Sequence, residues 1–290
     1  MEENKYPYLD RVHTDEELKA LSVADAKGLC ADLRRFLVDK VTKSGGHLAS
    51  NLGAVEISVA VHRVFDLPHD RVIFDVGHQS YVHKILSGRR DFDTLRKPGG
   101  LSGFEKMDES EYDAFGTGHA STLVSAALGY AEADKLMGRD NYTVVVLGDG
   151  AFTGGMVHEA LNNLKKDLHL IIILNENEMS ISKNAGAFAS HIAHMRTSKK
   201  YFRFKRATTR FFSGIPLIGA PILKGLRTCK RYVKNAFYGG VYFEDIGLKY
   251  LGPADGNDLE TVEYLLTEAK RRGTSVILHL RTVKGKGYAP

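Results

Sequence analysis

Two stretches decide the fold: Thr143-Val-Val-Val-Leu-Gly-Asp-Gly150 and Leu168-His-Leu-Ile-Ile-Ile-Leu-Asn-Glu-Asn177. Each is an aliphatic run with little polar alternation, the pattern of a strand buried on both faces rather than of one with a wet side. Between them, Gly155 to Leu164 carries apolar residues at helical spacing and is long enough for one crossover helix. A strand, a helix and a strand joined by such short connections make a parallel pair. Both strands then finish at one edge of the sheet. If they are neighbours, Asp149 and Asn177, 28 positions apart, emerge side by side.

The same alternation extends outward. Leu18, Leu21, Ala24, Leu29, Leu33 and Leu37 predict a helix over Asp15 to Val41, and Ala54 to Val64 repeats the pattern. Arg71-Val-Ile-Phe-Asp-Val-Gly77 is a short β-rich run closed by glycine. Thr122 to Met137 is helical, opened by the hydroxyls of Ser121 and Thr122. The last helix runs from Asp258 to Arg272, before the strand Ser275 to Arg281. The expected class is α/β: a doubly wound, mainly parallel sheet with helices on both faces, in a single domain over 1–290.

Composition agrees and excludes alternatives. The 290 residues are 43% hydrophobic and 26% charged, with 29 glycines and 7 prolines. That is enough chain to bury about three quarters of its unfolded surface without disulfides or a structural metal. Disordered, collagenous and disulfide-stapled classes are excluded. Cys30 and Cys229 form no CxxC pair, which argues for a reducing compartment and against a thiolate cluster. The N-terminus is charged from its second residue and no long apolar run follows, so a cytosolic protein without a membrane span is expected. The net charge of +5 averages two unlike parts. Met179 to Phe243 holds thirteen Lys/Arg and no Asp/Glu, leaving 27 basic against 35 acidic residues elsewhere. Its glycines and prolines, Gly214, Pro216, Gly219 and Pro221, suggest an irregular basic insertion at about 183–243.

In an open parallel sheet, ligands bind beyond the carboxyl ends of the strands. Three stretches lie there: Gly77-His78-Gln79, Gly148-Asp149-Gly150 and Asn175-Glu176-Asn177. One carboxylate and one carboxamide oxygen suit a hard cation such as Mg2+, which completes its octahedron with phosphate oxygens and water. Gly154-Gly155 precede a helix N-terminus whose amides favour a phosphate. The composite is the pattern expected of a magnesium–diphosphate cradle. It is neither a P-loop nor a dinucleotide fingerprint, since no GxxxxGK[ST] occurs and no GxGxxG follows a strand. His47, after Gly45-Gly46, and His78, after Gly77, fall at the same edge, where a group titrating near neutrality suits proton transfer. His119 is a third candidate; His62, His191 and His194 are assigned no function, and no HExxH or other zinc spacing occurs.

These residues carry a resemblance. SGGHLASNLGAVEISVAVHRVFD, FDVGHQSYVHKILSGRRDFDTL, GGLSGF, SEYDAFGTGHAST, GDGAFTGGMVHEALNN, ILNENEMSIS and KGKGYAP resemble the N-terminal domain of 1-deoxy-D-xylulose-5-phosphate synthases, thiamine-diphosphate enzymes of the transketolase superfamily. The resemblance runs from about Tyr6 to Pro290 and is weakest in the basic stretch. It implies thiamine diphosphate and Mg2+ as cofactors, with Asp149, the Asn177 side chain and the Met179 carbonyl holding the metal. It likewise implies that Gly150 and Ala151 offer backbone to the diphosphate. Gly118, His119, Ala120, Ser121, His78 and Lys284 would contact the cofactor, and His47 and His78 would serve catalysis on the substrate side. The implied reaction decarboxylates pyruvate and condenses the remainder with glyceraldehyde 3-phosphate, towards isoprenoid and thiamine biosynthesis; a transketolase-type ketol transfer is the alternative. Asn257 in LGPADGND departs from the family, which usually has histidine there.

Family members are more than twice as long, and the resemblance places their pyrimidine-binding domain after KGKGYAP. Three readings follow: one half of a split enzyme completed by a pyrimidine-domain polypeptide, a part of a longer synthase, or a binding or regulatory protein that uses its basic segment on nucleic acid. The first is favoured, as a homo- or hetero-oligomer. The basic segment is assigned to substrate attraction or an acidic partner surface rather than to nucleic acid.

Overall fold

The computed structural model describes residues 5–177, 243 and 247–288. Contacts divide the chain into two units, Met1–Ser182 with Lys249–Pro290, and Lys183–Leu248. Every element below belongs to the first. Met179 and the basic insertion, Phe243 apart, lie outside the described residues.

In chain order the elements are α1 (Asp15–Ala20), α2 (Val23–Ser44), α3 (Leu48–Gly53), α4 (Val55–Val64), β1 (Arg71–Phe74), α5 (Tyr81–Leu86), α6 (Leu123–Leu136), β2 (Thr143–Gly148), α7 (Asp149–Phe152), α8 (Gly155–Asn162), β3 (Leu170–Glu176), β4 (Lys249–Asp255), α9 (Leu259–Arg271) and β5 (Val276–Arg281). The five strands form one sheet in the order β1-β2-β3-β5-β4, every pairing parallel. All seven residues of β3 are buried, as a strand covered on both faces requires.

Alternate strand residues sort the two layers. Val72 and Phe74, Val144 and Val146, Ile171 and Ile173, Val276 and Leu278 form one core with Leu29, Leu33 and Leu37 of α2, Val55, Val59 and Val61 of α4, and Val262, Leu266 and Ala269 of α9. Burying each of the larger side chains contributes about 1.5–3 kcal/mol, so this layer sets the register of the sheet. On the other face, α6 packs over β1, β2 and β3 and against α8. The doubly wound arrangement is the one the sequence predicts.

Three details differ from the sequence reading. The helix expected over Asp15 to Val41 is two helices, broken at Leu21-Ser22. The Ser22 hydroxyl accepts the Asp25 amide at 3.1 Å and restarts the helix, while Thr14 and Glu17 close a reciprocal capping box on α1. Helix α6 is not opened by the hydroxyls of Ser121 and Thr122: no side-chain cap comes from Thr122. The carboxylate of Asp75, just past β1, instead accepts the amides of Ser121 (2.8 Å) and Leu123 (3.2 Å). Finally, β4 is a strand that periodicity did not reveal. Gly252-Pro253 interrupts it and the ladder shifts between Leu251 and Ala254, a defect an edge strand tolerates because one side needs no donor.

Candidate active site

Because the strands are parallel, their carboxyl ends line one edge, and the residues just beyond them follow the sheet order: His78 after β1, Asp149 after β2, Asn177 after β3, Lys284 after β5 and Asn257 after β4. Strands β2 and β3 are neighbours in register from Thr143↔Leu170 to Gly148↔Asn175. Asp149 and Asn177 therefore leave adjacent strand ends at the same edge. Asp149 opens α7 and is 4% exposed, Gly150 in the same turn is exposed, and Ala151 and Asn177 are half-buried.

The tip of β3 is held from the side. Asn175 Oδ1 accepts the Thr282 hydroxyl at 2.7 Å. Glu176 meets His279 Nε2 at 2.8 Å and accepts Arg281 Nε at 3.2 Å, and the Tyr250 hydroxyl meets His279 Nδ1 at 2.7 Å. Asn175, Glu176, His279 and Tyr250 are all buried, so the first two polar residues of Asn175-Glu176-Asn177 are engaged laterally with β5 and its exit. Sequence reasoning passed over this array, whose members are 29 and 103 positions apart.

The segment before α6 is fitted against the ends of β1 and β2. Ser121 takes a left-handed backbone, φ 71°. Its amide is held by Asp75 and its hydroxyl donates to the Ala151 carbonyl at 2.7 Å. Burial pushes the Asp75 carboxyl up, against the pull of the amides it accepts. A Cβ on Gly154 would sit 2.1 Å from the Ser121 Oγ, so the approach of this segment to the start of α8 requires glycine. Gly118, His119 and Ala120 are exposed on this loop, where the His119 carbonyl accepts the Thr122 hydroxyl at 3.2 Å.

Helix α3 gathers the rest. His47 precedes it, and the His47 and His78 rings stand edge to face with centroids 5.5 Å apart. Phe104 lies 6.2 Å from the His47 ring. Asn51, fully buried, donates to the carbonyls of His47 and His78, each at 2.8 Å, and accepts the Tyr81 amide at 2.8 Å. The Ala49 carbonyl accepts the Gly285 amide at 2.8 Å, bringing the Lys284 segment onto the same helix. Asn257 completes the seam: it donates to the Gly53 carbonyl and to Glu56, both at 3.1 Å, and accepts the Val283 amide at 2.8 Å. Burial, then the charges of Arg96 and Lys284, lower the His47 imidazole. Burial, then His47 and Lys284, lower His78 to about 4. Both shifts favour the neutral imidazole. The His78 Nδ1 is buried with no hydrogen-bond partner among the described residues.

Beneath the loop that carries Phe104 and Thr117 lies a buried ionic cluster. Arg89 grips Asp113 at 2.7 Å through both terminal nitrogens and reaches Glu109 at 3.0 Å. His83 Nε2 lies 3.3 Å from Asp113, His83 Nδ1 meets His62 at 2.9 Å, and Lys84 pairs with Glu109. Burial alone would raise the Asp113 carboxyl, but His83 and Arg89 outweigh it and hold it well below the usual carboxylate range. The loop is thereby anchored, and Thr117 Oγ1 comes so near Gly77 that a Cβ there would sit 2.0 Å away. Two depressions among the described residues lie at the opposite, amino edge of the sheet. One, of about 220 Å³, is lined by Asp134, Lys135, Arg139, Asp167 and His169, whose charges are largely paired with one another.

Comparison with known proteins matches this architecture. The family model described as 1-deoxy-D-xylulose-5-phosphate synthase covers residues 9–282. The chain belongs to that family. Among its relatives, 1-deoxy-D-xylulose-5-phosphate synthase 2 of Streptomyces coelicolor is 47% identical over 98% of this chain and 44% of the relative. The Syntrophomonas wolfei synthase is 48% identical over 97% and 44%. The chain thus spans less than half the length of these synthases. Transketolases share the fold at low identity. The Campylobacter jejuni enzyme gives a TM-score of 0.63 at 20% identity over 92% of this chain and 39% of its own, and one from Pichia stipitis gives 0.64 at 20% over 92% and 37%. Within the synthase family's pattern, the sequence pointed to His47, His78, Asp149, Asn177, Ser121 and Lys284, and the fold brings all six to one edge. It did not point to Asn51 or Asp75, whose signal lies only in side chains that cap or clamp neighbouring backbone. Among the described residues no helix is long and apolar enough to cross a membrane.

Proposed function

We propose that this chain is the diphosphate-binding part of a thiamine-diphosphate-dependent 1-deoxy-D-xylulose-5-phosphate synthase, acting on pyruvate and glyceraldehyde 3-phosphate. The observation that carries the reading is the register of β2 with β3, which sets Asp149 and Asn177 at adjacent strand ends. Their donor chemistry fits the group: one carboxylate and one amide oxygen are hard ligands, and magnesium asks the protein for only one or two before phosphate and water complete its shell. Met179, whose carbonyl is the third proposed ligand, lies outside the described residues.

In this reading Asp149 and Asn177 hold the metal, and the amides of Gly150 and Ala151 with the α8 N-terminus face the diphosphate. The Gly118-His119-Ala120-Ser121 segment lies against the cofactor, and Lys284 supplies a cation near it. Thiamine diphosphate, when bound, supplies the nucleophilic carbon that decarboxylation of a 2-oxo acid needs. His78, neutral and shielded, presents a hydrogen-bonding ring nitrogen; His47, more exposed, exchanges protons with substrate and solvent. The pyrimidine-binding part, on a partner polypeptide or further chain, completes the site, in a homo- or hetero-oligomer.

The test is calorimetric titration of thiamine diphosphate with Mg2+ into the protein assembled with its pyrimidine-binding part. Asp149→Ala is expected to abolish magnesium-dependent binding. Unchanged affinity in that variant overturns the reading.

A further inference from the structure

We propose that Asn51 is the positioning residue that sets the distance and orientation of the His47 and His78 rings, acting through one carboxamide that joins the His78–Tyr81 segment to the first turn of α3. This rests on the reading in which those histidines face the cofactor. The geometry is specific to an asparagine. Its two amide protons go to two carbonyls, those of His47 and His78, and its oxygen takes the amide that begins α5, all at 2.8 Å. The partners lie 4, 27 and 30 positions away, so the bonds hold the remote His78–Tyr81 segment against the helix whose N-terminus carries His47. Aspartate would turn an acceptor toward two carbonyls, and serine has a single donor. Glutamine would carry the amide about one methylene too far.

What is clamped is the backbone of each histidine. With both carbonyls fixed, the two rings keep their edge-to-face contact at 5.5 Å. Tyr81 reinforces the clamp from both ends: its amide bonds Asn51 and its hydroxyl accepts the His47 amide at 3.4 Å. The charged and titratable groups acting on this pair are Arg96 and Lys284. The Lys284 segment rests on the same helix through Ala49 and Gly285. Without the carboxamide the His78 carbonyl is freed, while the His47 carbonyl keeps the Asn51 backbone amide at 3.3 Å; the His78 ring can then turn toward water and away from His47, lifting the burial and repulsion that hold it deprotonated.

A merely structural role would make the fold less stable and leave the histidines alone, so the test reads the histidines directly. Ring-labelled histidine spectra are recorded across pH for the wild type, Asn51→Ala, and Ser275→Ala as a control. Ser275, itself buried, shares its one hydroxyl proton between the carbonyls of Lys165 (2.8 Å) and Leu168 (3.3 Å), at the opposite edge of the sheet. Asn51→Ala is expected to shift the His47 and His78 resonances and raise the His78 midpoint by at least about one pH unit from its value of about 4; Ser275→Ala leaves both in place. Unmoved histidines in Asn51→Ala, or equal movement in Ser275→Ala, overturn the proposal. Should Asn51→Ala not fold, the wild type still decides: the Asn51 carboxamide protons exchange at least about a hundredfold more slowly than a free amide, and exchange at the free rate refutes the clamp. These signals do not depend on cofactor, so a protein that shows them yet fails to bind thiamine diphosphate refutes the functional reading and not the positioning.

Discussion

Replacing His78 by glutamine should flatten part of the acid limb of the stability curve. The folded ring titrates at about 4 against an ordinary 6.5, because it is buried and faces His47 and Lys284. The unfolded chain therefore takes up this proton first as pH falls. The sign follows: stability is unaffected above about pH 6.5, declines between 6.5 and 4, and levels off below. At about 1.36 kcal/mol for each pH unit separating the folded and unfolded midpoints, the ceiling is about 3.4 kcal/mol, and partial solvent access to the ring reduces it to about 2 kcal/mol. The buried histidines His62 and His83 are also held below their ordinary value, chiefly by burial, so the raw acid sensitivity belongs to several groups. The difference between wild type and His78→Gln isolates one. Urea unfolding at half-unit steps from pH 7.5 to 4.5 should show that difference moving in favour of the variant as pH falls, by about 2 kcal/mol. Parallel curves over that range would refute the reasoning, since the ring would then titrate alike in both states. A second arm tests the cause: His47→Ala removes one repulsive neighbour, so the His78 midpoint should rise.

Three further outcomes follow from the packing. Asp113→Ala leaves Arg89 buried without its main partner and should cost about 3–5 kcal/mol in urea unfolding; a loss below about 1 kcal/mol would mean the cluster is already hydrated. Gly154→Ala drives a methyl to 2.1 Å from the Ser121 Oγ and should cost about 1–3 kcal/mol. Ser121→Gly in the same chain should recover part of that, and strict additivity of the two would count against the contact. Asn257→Ala removes the acceptor of the Val283 amide and two donated bonds, so hydrogen exchange at Val283 and Gly285 should quicken about tenfold or more, at about 1 kcal/mol per bond lost. Unchanged exchange there would show that Asn257 does not hold the Lys284 segment.

Sequence and structure agree where one physical cause dominates. The aliphatic runs of β2, β3 and β5 have a single way to be buried, so their place in a parallel sheet could be derived from period and length alone, and with it the edge that gathers Asp149 and Asn177; Lys284 came only from the family resemblance. They part where local and tertiary causes compete. Strand β4 carries Gly252-Pro253, which argues against a strand until a partner, β5, is present to pair it. The break at Ser22 was written in Ser22-Val-Ala-Asp25, a cap signal overridden by the continuous apolar spacing around it. Asp75 is the most instructive case: the hydroxyls beside α6 looked like its caps, yet the carboxylate that does the capping comes from a residue 46 positions earlier.

That substitution also explains the strained φ of Ser121. A local hydroxyl cap would have turned Ser121 Oγ back onto its own helix. With Asp75 taking the amides, the hydroxyl is released to bond the Ala151 carbonyl, which requires the left-handed turn and the bare Cα of Gly154. One carboxylate at the end of β1 thus frees a side chain to tie the loop before α6 to the turn after β2. The loop before α6 is consequently fixed by bonds to segments remote from it in sequence, which no single stretch of sequence contains.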